Sequence, residues 1–157
     1  MSNNETIESL EAQLELHNSK SKERVDIINQ LVAFYLNIDL NKTKTLIDEE
    51  ERISTDINYQ EGIGMSYHQR GVYFYLLGDY ENALNFYLKA DIILNKSADW
   101  KNRIKPKANI AMVYINTQQY EEALRIYNEI ENEIKLIPID IIHAQMYINI
   151  DAAYCFL

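Results

Sequence analysis

An all-α fold is predicted by three features of this 157-residue sequence. Apolar residues, 47% of the total, recur at intervals of three and four rather than alternating, which is the period of amphipathic helices. Only four glycines and two prolines interrupt the chain, too few for the turns of an all-β domain. A stretch of sequence also returns forty positions later. GVYFYLLGDYENALNFYLKA (71–90) lies over AMVYINTQQYEEALRIYNEI (111–130) without a gap, matching Phe74 to Tyr114, Tyr80 to Tyr120, Ala83 to Ala123 and Tyr87 to Tyr127. Recurrence at a fixed interval is the mark of stacked units. The architecture implied is a right-handed α-solenoid of antiparallel helix pairs with a period of about 40 residues.

Residues 1–21 read as a leading helix and its connection. Ile7, Leu10 and Leu14 form one apolar stripe, and the polar NSKSK (18–22) separates it from the first repeat. Such a helix covers the exposed end of a stack; two heptads are too few for a dimerising coiled coil. Residues 22–60 form a degenerate repeat, with Phe34 and Thr43 in register and Asp39 and Asn41 at the turn. Residues 61–100 form the second repeat. There Gly78 ends the first helix in a left-handed conformation and Asp79 caps the next. Ala83 and Ala90 then let two backbones approach closely.

Residues 101–138 form the third repeat, which turns at Thr117 and Gln118. Extra length falls in ILNKSADWKNRIKPK (93–107), and Pro106 should lie in the first turn of its helix or kink it. Residues 139–157 read as the first helix of a further repeat, with Pro138 suited to a first turn. That segment stops on AAYCFL without a polar cap, so a truncated C-terminus and self-association through an exposed last helix are expected.

Composition excludes several functions. With 24 acidic and 15 basic residues the formal charge is −9, the wrong sign for gripping nucleic-acid phosphates. No apolar run reaches the roughly 18 residues of a membrane span. The polar N-terminus lacks a signal-peptide core. A single cysteine, Cys155, fits a reducing, cytoplasmic setting. His17, His68 and His143 have no ligand partner at helical spacing and read as structural or surface residues. Cys155 reads as a buried small side chain. The acidic run DEEER (48–52) reads as a solvated helix face. No phosphate-binding glycine loop or nucleophile elbow occurs. No catalytic residue, cofactor or metal is therefore expected.

The two central units resemble the tetratricopeptide repeat, whose pattern is W-x2-L-G-x2-Y followed by A-x3-F. Tyr67, Gly71, Phe74, Ala83 and Tyr87 carry the match in one unit, and Ile110, Ala111, Tyr114, Ala123 and Tyr127 in the other. Leu31, Phe34, Thr43 and Ile47 give a weak first copy. Arg70 departs where Leu is usual, and Lys107 stands in the aromatic slot. The forty-residue period exceeds the family's usual 34 or so. The leading acidic helix before KERVDIINQLVAFYLNIDLNKT also resembles the N-terminal arrays of bacterial signalling proteins, which precede kinase, cyclase or DNA-binding output domains.

That resemblance implies a non-catalytic module that binds a protein or peptide and regulates an output domain. A stand-alone cytoplasmic adaptor and a fragment of a peptide-responsive transcription regulator are the alternatives. It also implies that the first helix of each unit lines a concave groove. The lining positions are Val25, Ile28, Val32, Tyr35 and Leu36; then Met65, His68, Val72, Tyr75 and Leu76; then Lys105, Ala108, Met112, Ile115 and Asn116. The Lys, Arg and Asn clamp of chaperone-binding relatives is absent, because Ile28, His68 and Ala108, then Val32, Val72 and Met112, hold its places. The lined face is apolar and aromatic, suited to an amphipathic helix or hydrophobic peptide. Two readings stand together: a partner groove, or a face packed against the next helix or another part of the protein.

Overall fold

The computed structural model describes residues 3–134, and these form seven helices with no strand among them. They are α1 (Asn3–Leu16), α2 (Lys22–Tyr35), α3 (Leu40–Asp56), α4 (Gln60–Leu76), α5 (Tyr80–Leu94), α6 (Trp100–Asn116) and α7 (Tyr120–Ile134). Pro138, His143, Cys155 and the expected helix over 139–157 lie outside the described residues, as does the self-association expected of that segment.

Four of the starts have a side-chain cap. Ser21 caps α2, accepting from the Arg24 amide at 3.3 Å. Asp39 caps α3 with bonds from Asn41 N and Lys42 N, and Asp79 caps α5 with a bond from Asn82 N. The turn after α4 uses Gly78 at φ +75°, and the equivalent turn after α6 uses Gln118 at φ +61°. Of the two placements expected of Pro106, the first turn is ruled out. Because Asp99 caps α6 by accepting from Lys101 N, the helix begins at Trp100 and Pro106 is its seventh residue, not part of the first turn.

The pairs α2/α3, α4/α5 and α6/α7 stack in chain order. α2 also touches α4, and α4 touches α6, whereas the backbones of α3 and α5, and of α5 and α7, do not approach closely. The first helices therefore form a continuous inner layer and the second helices fan outward, giving a face curved around α2, α4 and α6. α1 packs on α2 with Ile7 and Leu10 buried, closing that end of the core.

Small residues set the spacing between helices. Ala83, Ala90, Ala111 and Ala123 are fully buried. A Cβ added to Gly71 would lie 2.5 Å from Cδ1 of the buried Tyr87 ring. Thr43 stands where the other pairs have alanine and is also fully buried. Its hydroxyl donates to Asp39 O at 2.8 Å, so the polar atom is satisfied inside its own helix.

The two departures from the repeat pattern are also explained. Arg70 reaches Asp48 at 2.8 Å and Glu51 at 2.7 Å on α3 and covers the Phe86 ring. Lys107 pairs with Glu133 at 2.9 Å beside Arg103 at 2.7 Å. Ion pairs between neighbouring helices replace apolar contact at both positions.

Candidate functional site on the concave face

The three first helices present three different surfaces along the inner layer. At α2 the expected groove is closed. Val25, Ile28 and Val32 are buried in one cluster with Ile7 and Leu10 of α1 and Leu46, Ile47 and Ile53 of α3. Tyr35 is half-buried, and its hydroxyl donates to Glu11 Oε1 at 2.7 Å while Lys42 lies over its ring. Ile28, Val32 and Tyr35 therefore pack the end of the stack and do not line an open groove, and Val25 reaches only the polar cleft described below. The leading helix occupies the space that a preceding repeat would have filled.

Between α4 and α6 an open pocket of about 190 Å³ remains. Val72, Tyr75 and Leu76 from α4 and Met112 from α6 line it, joined by Tyr87 and Asn109. Leu76 is 47% exposed, so its apolar surface is available. The Tyr75 hydroxyl accepts from Asn116 Nδ2 at 2.8 Å, which ties the two helices across the mouth. Ile115 is partly buried against the α5–α7 core, while Asn116 is exposed.

His68 lies one turn before Val72. Its Nε2 is 2.9 Å from Asn109 Nδ2, and its Nδ1 is buried without a partner. Burial, with a smaller push from Lys105, drives its pKa down to about 3. The ring is therefore neutral and structural, a spacer between α4 and α6.

At the N-terminal ends of the same helices lies a second, polar cleft of about 330 Å³. Lys105 and Met65 are found here, well away from Tyr75 and Met112, and Met65 is itself buried against Ala90 and Leu94. The other walls are Asp26, Asn29, Tyr59, Glu61, Gly62, Asp99 and Asn102 with Val25, none of them expected at a site except Val25. An amide at 29, 69 and 109 is the signal for this inner row: it recurs at the repeat period. Gln69 Nε2 donates to Asn29 Oδ1 at 3.0 Å, joining α2 to α4.

The acidic run DEEER also needs correcting. Asp48 and Arg52 are exposed, but Glu50 is fully buried and neither carboxyl oxygen has a hydrogen-bond partner. Desolvation, reinforced by repulsion from Asp26, holds its pKa well above the usual range; the nearby Asn29 amide offsets this only slightly. Among the described residues no group of three or more metal-ligating side chains converges, and no helix is long and apolar enough to cross a membrane.

Comparison with known proteins agrees with this geometry. Residues 66–91 and 105–131 match the tetratricopeptide repeat family model. No curated protein matches. Among solved structures, a signal transduction ATPase with numerous domains from Pyrococcus horikoshii, which carries a tetratricopeptide repeat sensor, is similar with a TM-score of 0.77 at 20% identity. The match covers 94% of this chain but only 24% of that one. The nearly identical repeats of a putative kinesin light chain from Podospora anserina are similar with a TM-score of 0.69 at 16% identity, covering 98% and 78% of the two chains. A singly substituted form of those repeats gives a TM-score of 0.71.

Proposed function

From two tetratricopeptide repeats set in a stack of helix pairs, we propose that this chain is a binding module whose concave face holds an apolar segment of a partner protein. The observation that carries this reading is the open pocket of Val72, Tyr75, Leu76 and Met112 between α4 and α6. Large apolar side chains gathered at a partly desolvated centre dominate binding energy in such contacts. Val25, Ile28 and Val32 take no part, since they are buried, and the Tyr35 hydroxyl is tied to Glu11 of the leading helix. The partner is a hydrophobic peptide or an amphipathic helix. In the finer reading the module is the cytoplasmic sensory or regulatory part of a larger bacterial signalling protein. A sensor of the same fold in a signalling ATPase supports that assignment.

The test is selection from a random peptide display library on the 157-residue chain, followed by affinity measurement with Tyr75→Ala and Met112→Ala. Either substitution should weaken selected peptides by about tenfold or more. Peptides that bind both variants normally would place binding elsewhere and refute the pocket.

A further inference from the structure

In the forty-residue register Glu50 falls on Ala90 and Ile130, and Ser54 falls on Leu94 and Ile134. All six residues are buried. These are core positions of the second helix in each pair. Two repeats fill them with apolar side chains, and the first fills them with a carboxylic acid and a hydroxyl. Both Glu50 carboxyl oxygens lack a hydrogen-bond partner, as does Ser54 Oγ one turn on. On α4, which packs against α3, the buried Gln69 Oε1 is also unpartnered. Gln69 Nε2 holds α4 to α2, donating to Asn29 Oδ1 at 3.0 Å and to Asn29 O at 3.2 Å. The Asn29 side chain is in turn the neighbour whose hydrogen bonding favours an ionised Glu50. Glu50 therefore sits beside the polar contact that joins the first repeat to the second.

The nearby cations are engaged elsewhere. On α2, Arg24 is taken by Glu49 at 2.6 Å, and Lys22 lies over the Tyr59 ring, 5.0 Å from its centroid. On α4, Arg70 is taken by Asp48 and Glu51. The titratable groups coupled to Glu50 are Asp26 of α2, which repels its charge, and Tyr59 ahead of α4, whose ionisation Glu50 opposes. Neither offsets a negative charge. An unpaired carboxylate in a dry core is too costly to keep, so the group must hold a proton or reach water.

We infer that Glu50 is a proton switch at the joint between the first two repeats: closing α2 against α4 takes up a proton at its carboxyl, and the joint opens to water when that proton is lost. Protonation also gives Glu50 an O–H donor, which the acceptor atoms around it lack. The direction follows from burial, which favours the acid form in the closed stack. The joint therefore holds through the ordinary glutamate range and loosens as pH rises above the midpoint of Glu50 itself. Ala90 and Ile130 cannot titrate, so the equivalent positions of the later repeats carry no such device.

The experiment is NMR on the 157-residue chain. The carboxyl carbon of Glu50 is followed against pH, together with solvent exchange of the Gln69 side-chain amide. Glu50 should titrate at least about one pH unit above the exposed glutamates. Above that midpoint, protection of the Gln69 amide should fall by up to about tenfold per pH unit beyond the ordinary base-catalysed rise in exchange. In Glu50→Gln that extra fall should disappear, while protection of backbone amides in α6 and α7 stays as in wild type. A Glu50 midpoint among those of the exposed glutamates overturns the inference, and so does equal pH dependence of Gln69 exchange in the two proteins. Protection lost throughout the chain at the same pH would overturn it too, showing global unfolding in place of a local joint. The wild-type titration needs no variant, so poor folding of Glu50→Gln would not blunt the test.

Discussion

Gly71→Ala probes the closest approach in the stack. A Cβ there would stand 2.5 Å from Cδ1 and 2.6 Å from Cε1 of Tyr87, whereas carbons in contact prefer about 3.5–4.0 Å. Tyr87 is 1% exposed, and its ring lies 5.8 Å from that of His68, so it has little room to retreat. Two effects oppose each other. Alanine favours a helix interior over glycine by about 1 kcal/mol, and overpacking a tight core typically costs about 1–3 kcal/mol. A shortfall of nearly an ångström against a ring edge puts the cost at the upper end, so a net loss of about 1–2 kcal/mol is expected. The neighbour decides the sign. In a Tyr87→Leu background, itself less stable, the ring is gone, and Gly71→Ala should stabilise by up to about 1 kcal/mol. Urea unfolding of wild type, both single variants and the double variant, followed by far-UV circular dichroism, gives the coupling energy. Effects that add to within about 0.5 kcal/mol would show that Gly71 and Tyr87 are not in contact, and overpacking would be refuted as the cause.

Glu50→Gln should stabilise the protein at neutral pH. Its folded pKa is raised, so the unfolded chain ionises first and wild-type stability falls as pH rises through that window. The advantage of the variant should shrink toward the ordinary glutamate range, and a pH-independent difference in melting temperature would refute this. His68 acts in the opposite sense. With a folded pKa of about 3 against about 6.5 unfolded, it costs stability as pH falls below 6.5, about 2 kcal/mol by pH 5. His68→Gln should remove that slope in denaturant titrations at pH 7 and pH 5; an equal slope in both proteins would count against a buried neutral ring. Asp39→Ala removes both cap bonds at the start of α3 and should cost about 1 kcal/mol in thermal unfolding. An unchanged melting temperature would refute the cap.

The sequence reveals the helix pairs because their packing demands small residues at fixed places, and Ala83, Ala123, Gly71 and Tyr87 recur at a countable interval. Gly78 and Asp79 are equally legible, since turn and cap chemistry are local. The candidate site is legible only in part. Val72, Tyr75, Leu76 and Met112 do meet around one pocket. Val25, Ile28 and Val32 occupy equivalent positions, yet the leading helix and α3 bury them. Periodicity shows which residues share a face but not what covers it. Glu50 was hidden for a related reason. Among five consecutive charged residues, one in each turn must face inward, and a run of charge does not say which. The polar cleft depends on side chains from three repeats, which only the superhelical stacking brings together.

The inner layer is joined by polar side chains one repeat apart. Gln69 bonds Asn29, Asn109 meets His68, Asn102 reaches Glu61 and Asn116 reaches Tyr75, at separations of 40 or 41 residues. Each such rung is worth about 1 kcal/mol when exchanged for water. Parting the two helices of a repeat would instead expose Tyr87, Ala83 and their buried neighbours. The same core crosses the boundary between repeats, because Ala83 and Tyr87 share one buried cluster with Ile104, Ile110 and Ala111 of α6, so the rungs add direction to an interface that is already apolar.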